Sequence, residues 1–124
     1  MPSGDQTLAY LLELDGEEIV YDGGYVARFR ARRVKVTPER PHGVSYSLTF
    51  HAADSRRLTG FDNAHGVPHR GARFVRGQTA FDHWHRDETD KGRPYRFKDA
   101  EKLIGDFFNE IGRILKEAND GQTD

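Results

Sequence analysis

At 124 residues, with 35% hydrophobic and 31% charged side chains, the chain has material for one modest core and a single domain spanning 1–124. No apolar run approaches the roughly 20 residues of a membrane-spanning helix. Residues 1–5 lack the basic flank and apolar stretch of a secretory signal. The absence of cysteine excludes disulfides, a thiolate nucleophile and sulfur-ligated zinc. A soluble cytoplasmic protein with no membrane partner is expected.

The net charge of −1 conceals a segregation. Residues 1–27 hold six acids and no Lys or Arg, residues 28–57 carry a local balance of +6 and residues 58–86 a further +2, before the tail falls back to −3. A polyanion would find its footing on the middle segment, where phosphate contacts set both affinity and salt sensitivity. The alternative is a solvated sheet face whose arginines pair with the acidic N-terminal stretch.

The elements follow in chain order. Residues 8–14 alternate, with Leu8, Tyr10, Leu12 and Leu14 on one face, and read as a first strand ending at Asp15-Gly16. Residues 18–21 read as a second strand closed by the hairpin signal Asp22-Gly23-Gly24. In residues 25–36, Arg28 and Arg30 share one face, and the apolar phase slips at Arg32-Arg33. A β-bulge there would line up Arg33 and Lys35 with Arg28 and Arg30. Residues 37–43 form a loop with two prolines, and residues 44–51 alternate cleanly, with Val44, Tyr46, Leu48 and Phe50 inward. Residues 57–61 and part of 74–84 supply further strands, and 87–98 is a charged connection.

One long helix is predicted over about 99–118, followed by a short flexible tail. Ala100, Leu103, Ile104, Phe107, Phe108, Ile111, Ile114 and Leu115 form its stripe, and Asp99 is its N-cap. Gly105 and Gly112 each weaken it by about 1 kcal/mol relative to Ala, and are expected to mark close approach to the sheet. The fold class is α+β: an antiparallel sheet of about five to six strands over residues 7–86, with this amphipathic helix packed on one face.

Two segments carry more polar chemistry than a turn needs. One is Phe61-Asp62-Asn63-Ala64-His65, the other Asp82-His83-Trp84-His85-Arg86. In extended backbone His83 and His85 project on one face and Trp84 on the other. Two such imidazoles suit a general acid and base, and Asp62 or Asp82 would orient one of them. Arg86 would then steady phosphate charge. Asn63 also reads as an Asx-turn residue, and Trp84 as either a core aromatic or a base-stacking platform. His65, His69, His83 and His85 with Asp62 supply enough ligand atoms for an ion. No recognised metal spacing such as H-E-x-x-H is present, and neither metal nor other cofactor is assigned.

The runs Gly43-Val44-Ser45-Tyr46-Ser47-Leu48, Phe61-Asp62-Asn63-Ala64-His65 and Asp82-His83-Trp84-His85-Arg86, with the terminal helix, resemble TumE-type toxins of bacterial type II toxin–antitoxin pairs over roughly residues 25–117. The positions that carry over are Asp62, Asn63, His65, His83 and His85. The resemblance implies neutralisation by a helix-turn-helix antitoxin protein. The residues themselves suggest metal-independent RNA cleavage, with His83, His85, His65 and Asp62 as the catalytic set. Arg28, Arg30, Arg33, Lys35 and Arg86 would hold the phosphates, and Asn63, Asp82 and Trp84 are accessory polar positions. The competing reading is a non-catalytic nucleic-acid- or protein-binding module on the same basic face. An exposed edge strand leaves a homodimer open to the chain.

Overall fold

The computed structural model describes residues 4–38, 40–63, 67–68, 79–80, 82–87 and 89–122. The order is α1 (Gly4–Glu13), β1 (Glu18–Val20), β2 (Val26–Arg33), β3 (Val44–His51), β4 (Arg57–Asp62), β5 (Val67–Pro68), β6 (Thr79–Ala80), β7 (His83–His85), β8 (Arg93–Pro94) and α2 (Ala100–Gln122). Among the described residues, six strands form one antiparallel sheet in the order β1-β2-β3-β4-β7-β8, and β5 pairs with β6 apart from it. The α+β expectation holds. No described helix is long and apolar enough to cross a membrane.

The first element departs from expectation: residues 4–13 are helical, not a strand. Over so short a stretch the leucines fit two periods. Leu8, Leu11 and Leu12 follow i, i+3, i+4 as well as Leu8, Tyr10 and Leu12 follow alternation. The segment lacks β-branched residues after Thr7 and is rich in Leu, Ala and Glu, which lose little freedom in a helix. The outcome shows at Leu11, which is fully buried, and Tyr10, which is exposed.

β2 holds an unbroken register on β3, from Val26↔His51 to Arg33↔Val44. The bulge expected at Arg32-Arg33 is therefore absent. The strand ends there instead, so the apolar phase change falls in irregular backbone where alternation no longer applies. Arg32 takes the outward row with Arg28 and Arg30. Arg33 falls on the opposite parity, and Lys35 lies beyond the strand. A register shift does occur between β3 and β4, where His51 pairs with Arg57 and Phe50 with Thr59, leaving Leu58 as the extra residue.

The inner face of the sheet carries Ala27, Phe29, Ala31, Tyr46, Leu48, Phe50 and Phe61, all buried. α2 covers it with Leu103, Phe107 and Ile111, spaced four residues apart and buried. Phe107 meets Phe29 and Phe61 edge-on, at 5.5 and 6.2 Å between ring centroids. Each such side chain contributes about 2–3 kcal/mol by leaving water. α1 packs against α2 and β2 on the same side. Asp99 caps α2 by accepting the Lys102 N–H at 2.8 Å, as expected. Gly105 and Gly112 are exposed, and a Cβ on either would meet nothing within 4 Å. Neither marks a close approach to the sheet.

Candidate functional site

Alternation leaves the other face of the sheet for polar residues, and the registers arrange them in rows. Arg30 lies opposite Ser47, Ser47 opposite Asp62, and Asp62 opposite His83. In the next row Arg28 lies opposite Thr49, Thr49 opposite Gly60, and Gly60 opposite His85. Two spacings of about 4.8 Å between strands put the arginine strand roughly 10 Å from Asp62. One polar sheet face thus joins the basic strand to the histidines.

At the β4–β7 end of this face, Asp62, His83 and His85 converge. The Nε2 of His83 is 2.9 Å from Asp62 Oδ1, and the Nε2 of His85 is 3.8 Å from Oδ2. The two rings stand edge-on, with centroids 5.1 Å apart. His83 is 3% exposed and His85 6%. One ligand atom from each of the three residues lies within 4.8 Å of the others, so the cluster has the composition and reach of a metal-binding triad. His85 Nδ1 donates to the Asp90 carbonyl at 2.8 Å. That fixes the proton on Nδ1 and turns Nε2 toward Asp62. Burial pushes the His85 pKa down, and nearby Arg57 adds to the effect. The Asp90 hydrogen bond and Asp62 oppose it without cancelling it.

The 87–92 turn holds His85 in place. Asp90 accepts the backbone N–H of Arg86 at 3.1 Å and of Gly92 at 2.9 Å, and pairs with Arg93 at 2.7 Å. Gly92 closes the turn at φ +117°, and a Cβ there would sit 3.1 Å from the His85 ring and 3.2 Å from His83. Only glycine lets the backbone approach both rings so closely.

The remaining predicted positions separate. Asp82 bonds residues of the inner face. Its carboxylate sits 3.0 Å from His42 Nε2 and accepts the Tyr46 hydroxyl at 2.8 Å. Asn63 is fully buried and spans β3: its Oδ1 accepts the Tyr46 N–H at 2.9 Å and its Nδ2 donates to the Val44 carbonyl at 2.7 Å. It therefore ties two strands together, and its side-chain bonds are not those of an Asx turn. Trp84 lies on the inner face, stacked 5.6 Å from Phe61 with the Arg93 guanidinium 5.1 Å from its ring. It stands off the arginine face. Arg28 is paired with Glu18 across β1–β2 at 3.0 Å, as the acidic-stretch alternative anticipated. Arg86 is exposed just beyond β7. His65 lies outside the described residues.

Two residues were missed. The β3–β4 bulge turns Arg57 onto the polar face, where its Cδ lies 3.4 Å from the Cβ position of Gly60. His42, in the loop before β3, has Nε2 on Asp82 and Nδ1 accepting the Val44 N–H at 3.3 Å. The Arg57 signal was the gap that Gly60 leaves in the next outward position. Nothing in local spacing announces His42.

With this arrangement in view, the sequence model described as Toxin TumE matches residues 9–115. The chain belongs to the TumE toxin family. Neither a curated protein nor a solved structure matches it. The TumE match runs from α1 to the last turns of the α2 stripe, and so includes every residue of the Asp62 cluster and of the arginine rows.

Proposed function

We propose that this toxin acts in the cytoplasm on RNA, held by phosphate contacts along the outward arginines and attacked at the Asp62–His83–His85 cluster. The observation that carries the reading is the pair of cross-strand rows that end Arg30–Ser47–Asp62 on His83 and Arg28–Thr49–Gly60 on His85. A backbone lying along the rows would meet cations, then hydroxyls, then imidazoles. In histidine-assisted cleavage a base removes the 2′-hydroxyl proton, and an acid protonates the leaving oxygen. His83 and His85 would share these two roles beside Asp62, whose Oδ1 is 2.9 Å from His83 Nε2. Arg57, whose charge reaches His85, would add a cation for phosphate charge. A helix-turn-helix antitoxin is the partner this reading implies.

The test is purified protein on cellular RNA, in chelator-treated and metal-supplied arms. Cleavage that falls at least ~100-fold in the His83→Ala/His85→Ala variant supports the proposal. Intact RNA in both arms removes it.

A second reading has its own support. Both imidazoles are almost fully buried, an unusual setting for direct proton exchange with a bulky substrate. A non-catalytic toxin would bind RNA on the same face, lose affinity in Arg30→Ala and Arg32→Ala, and bind unchanged without the two histidines. Growth arrest on induced expression, retained in the double-histidine variant, would favour it.

A further inference from the structure

We propose that Asp62, His83 and His85 form a divalent-cation site, taking an ion of the zinc, iron(II) or manganese class through two imidazole nitrogens and a carboxylate oxygen.

The distances fit. Ligands about 2.1 Å from a tetrahedral ion stand about 3.4 Å from one another; His83 Nε2 is 2.9 Å from Oδ1, His85 Nε2 is 3.8 Å from Oδ2, and one ligand atom from each residue lies within 4.8 Å of the others. The protons point the same way. A backbone carbonyl only accepts, so His85 must carry its proton on Nδ1, bonded to Asp90. In the neutral ring, Nε2 then presents a lone pair to an acceptor-only carboxylate. Two electron-rich atoms facing one another in a buried place repel, and a cation between them reverses the sign.

Asp62 supplies a separate observation. Among the described residues its buried Oδ1 accepts no hydrogen bond, although His83 Nε2 is 2.9 Å away. The nitrogen is within reach but not in line for donation. Buried charges are paired or hold metals, and an ion would complete this one. The surroundings have the form of an outer ligand shell: a carbonyl orients His85, and Gly92 brings backbone against both rings. With no cysteine in the chain, the donor set is nitrogen and oxygen, which excludes soft, thiolate-seeking ions. Three protein ligands would leave a coordination position for water or a phosphate oxygen, as in catalytic rather than structural sites.

The inference draws on the same three residues as the RNA reading, and an imidazole nitrogen that holds the ion is not free to carry a proton, so it is tested without RNA. The full chain, free of any histidine tag and stripped with a chelator, is titrated with Zn²⁺ and Mn²⁺ by calorimetry. Co²⁺ absorption reports the ligand geometry. The expected result is one ion per chain, with at least ~100-fold weaker binding in Asp62→Asn and His85→Gln and binding retained in His51→Gln. Asp62→Asn keeps the side-chain volume, and its folding is checked by circular dichroism. No stoichiometric binding, or binding unchanged in Asp62→Asn and His85→Gln, overturns the proposal. Ion binding with RNA left intact keeps the site and removes the reading above; RNA cleavage by protein that binds no ion does the reverse.

Discussion

Two histidine–aspartate centres lie on opposite faces of the same strands, and they are built to different ends. On the inner face, His42 spends both ring nitrogens, one on Asp82 and one on the Val44 N–H, and lies 4.1 Å from the Phe97 ring. Asp82 also takes the Tyr46 hydroxyl, whose pKa burial and the adjacent charge push far upward. Every partner there is matched to a donor or an acceptor. On the outer face, two imidazoles and a carboxylate converge with an oxygen left over. A satisfied network specifies a core, whereas an unsatisfied one keeps capacity for a ligand. Residue type alone would not separate them.

The contrast breaks most sharply at Asp82. Asp82→Ala strands the Tyr46 hydroxyl and the His42 ring in the interior, and should cost about 3 kcal/mol in urea unfolding. A loss as small as that of a surface mutation would mean the inner network is not structural. Next comes Gly92→Ala, expected to cost about 2 kcal/mol because it forces an L residue to φ +117° and presses a methyl against both outer rings. It should also alter the His83 and His85 imidazole resonances by NMR. Unshifted resonances would detach the turn from the site.

Asp62→Ala should cost under about 1 kcal/mol in metal-free protein, since it removes a buried carboxylate with an unmatched oxygen. A loss as large as that of Asp82→Ala would erase the distinction between the centres. The smallest effect concerns His51, which bonds Thr49 and the Ser55 carbonyl on the outer face. Burial, helped by Arg28 and Arg57, lowers its pKa. The folded state therefore binds its proton less readily than the unfolded chain. This contribution is fully present above the unfolded value of about 6.5 and is lost as pH falls through and below it. His51→Gln should flatten the acid limb of a melting-temperature profile, and an unchanged limb would assign it elsewhere.

Strong, uninterrupted patterns made β3 and α2 legible from sequence, and β4 was legible from the turn before it. The outward pairing of His83 with His85 follows from a period of two, and Asp62 joins them because β4 and β7 are neighbours. What escaped depended on contacts between distant segments. The α1 leucines fit two periods, and packing on α2 decides between them. The phase slip at Arg32-Arg33 pointed to a bulge, but ending the strand also accounts for it. The real register shift, opposite Phe50/His51 with Leu58 as the extra residue, was marked only by Gly60 and carried Arg57 out of view. Asp82 and His42 are 40 residues apart, and only the fold introduces them.

The two margins of the sheet differ in what they permit. β8 is two residues long and ends in Pro94, which has no amide hydrogen to offer another strand. β1, at the far margin, has no proline, and its Val20 is 70% exposed. Lateral growth by a visiting segment is therefore directional, docking beside β1 and leaving the β7 side untouched.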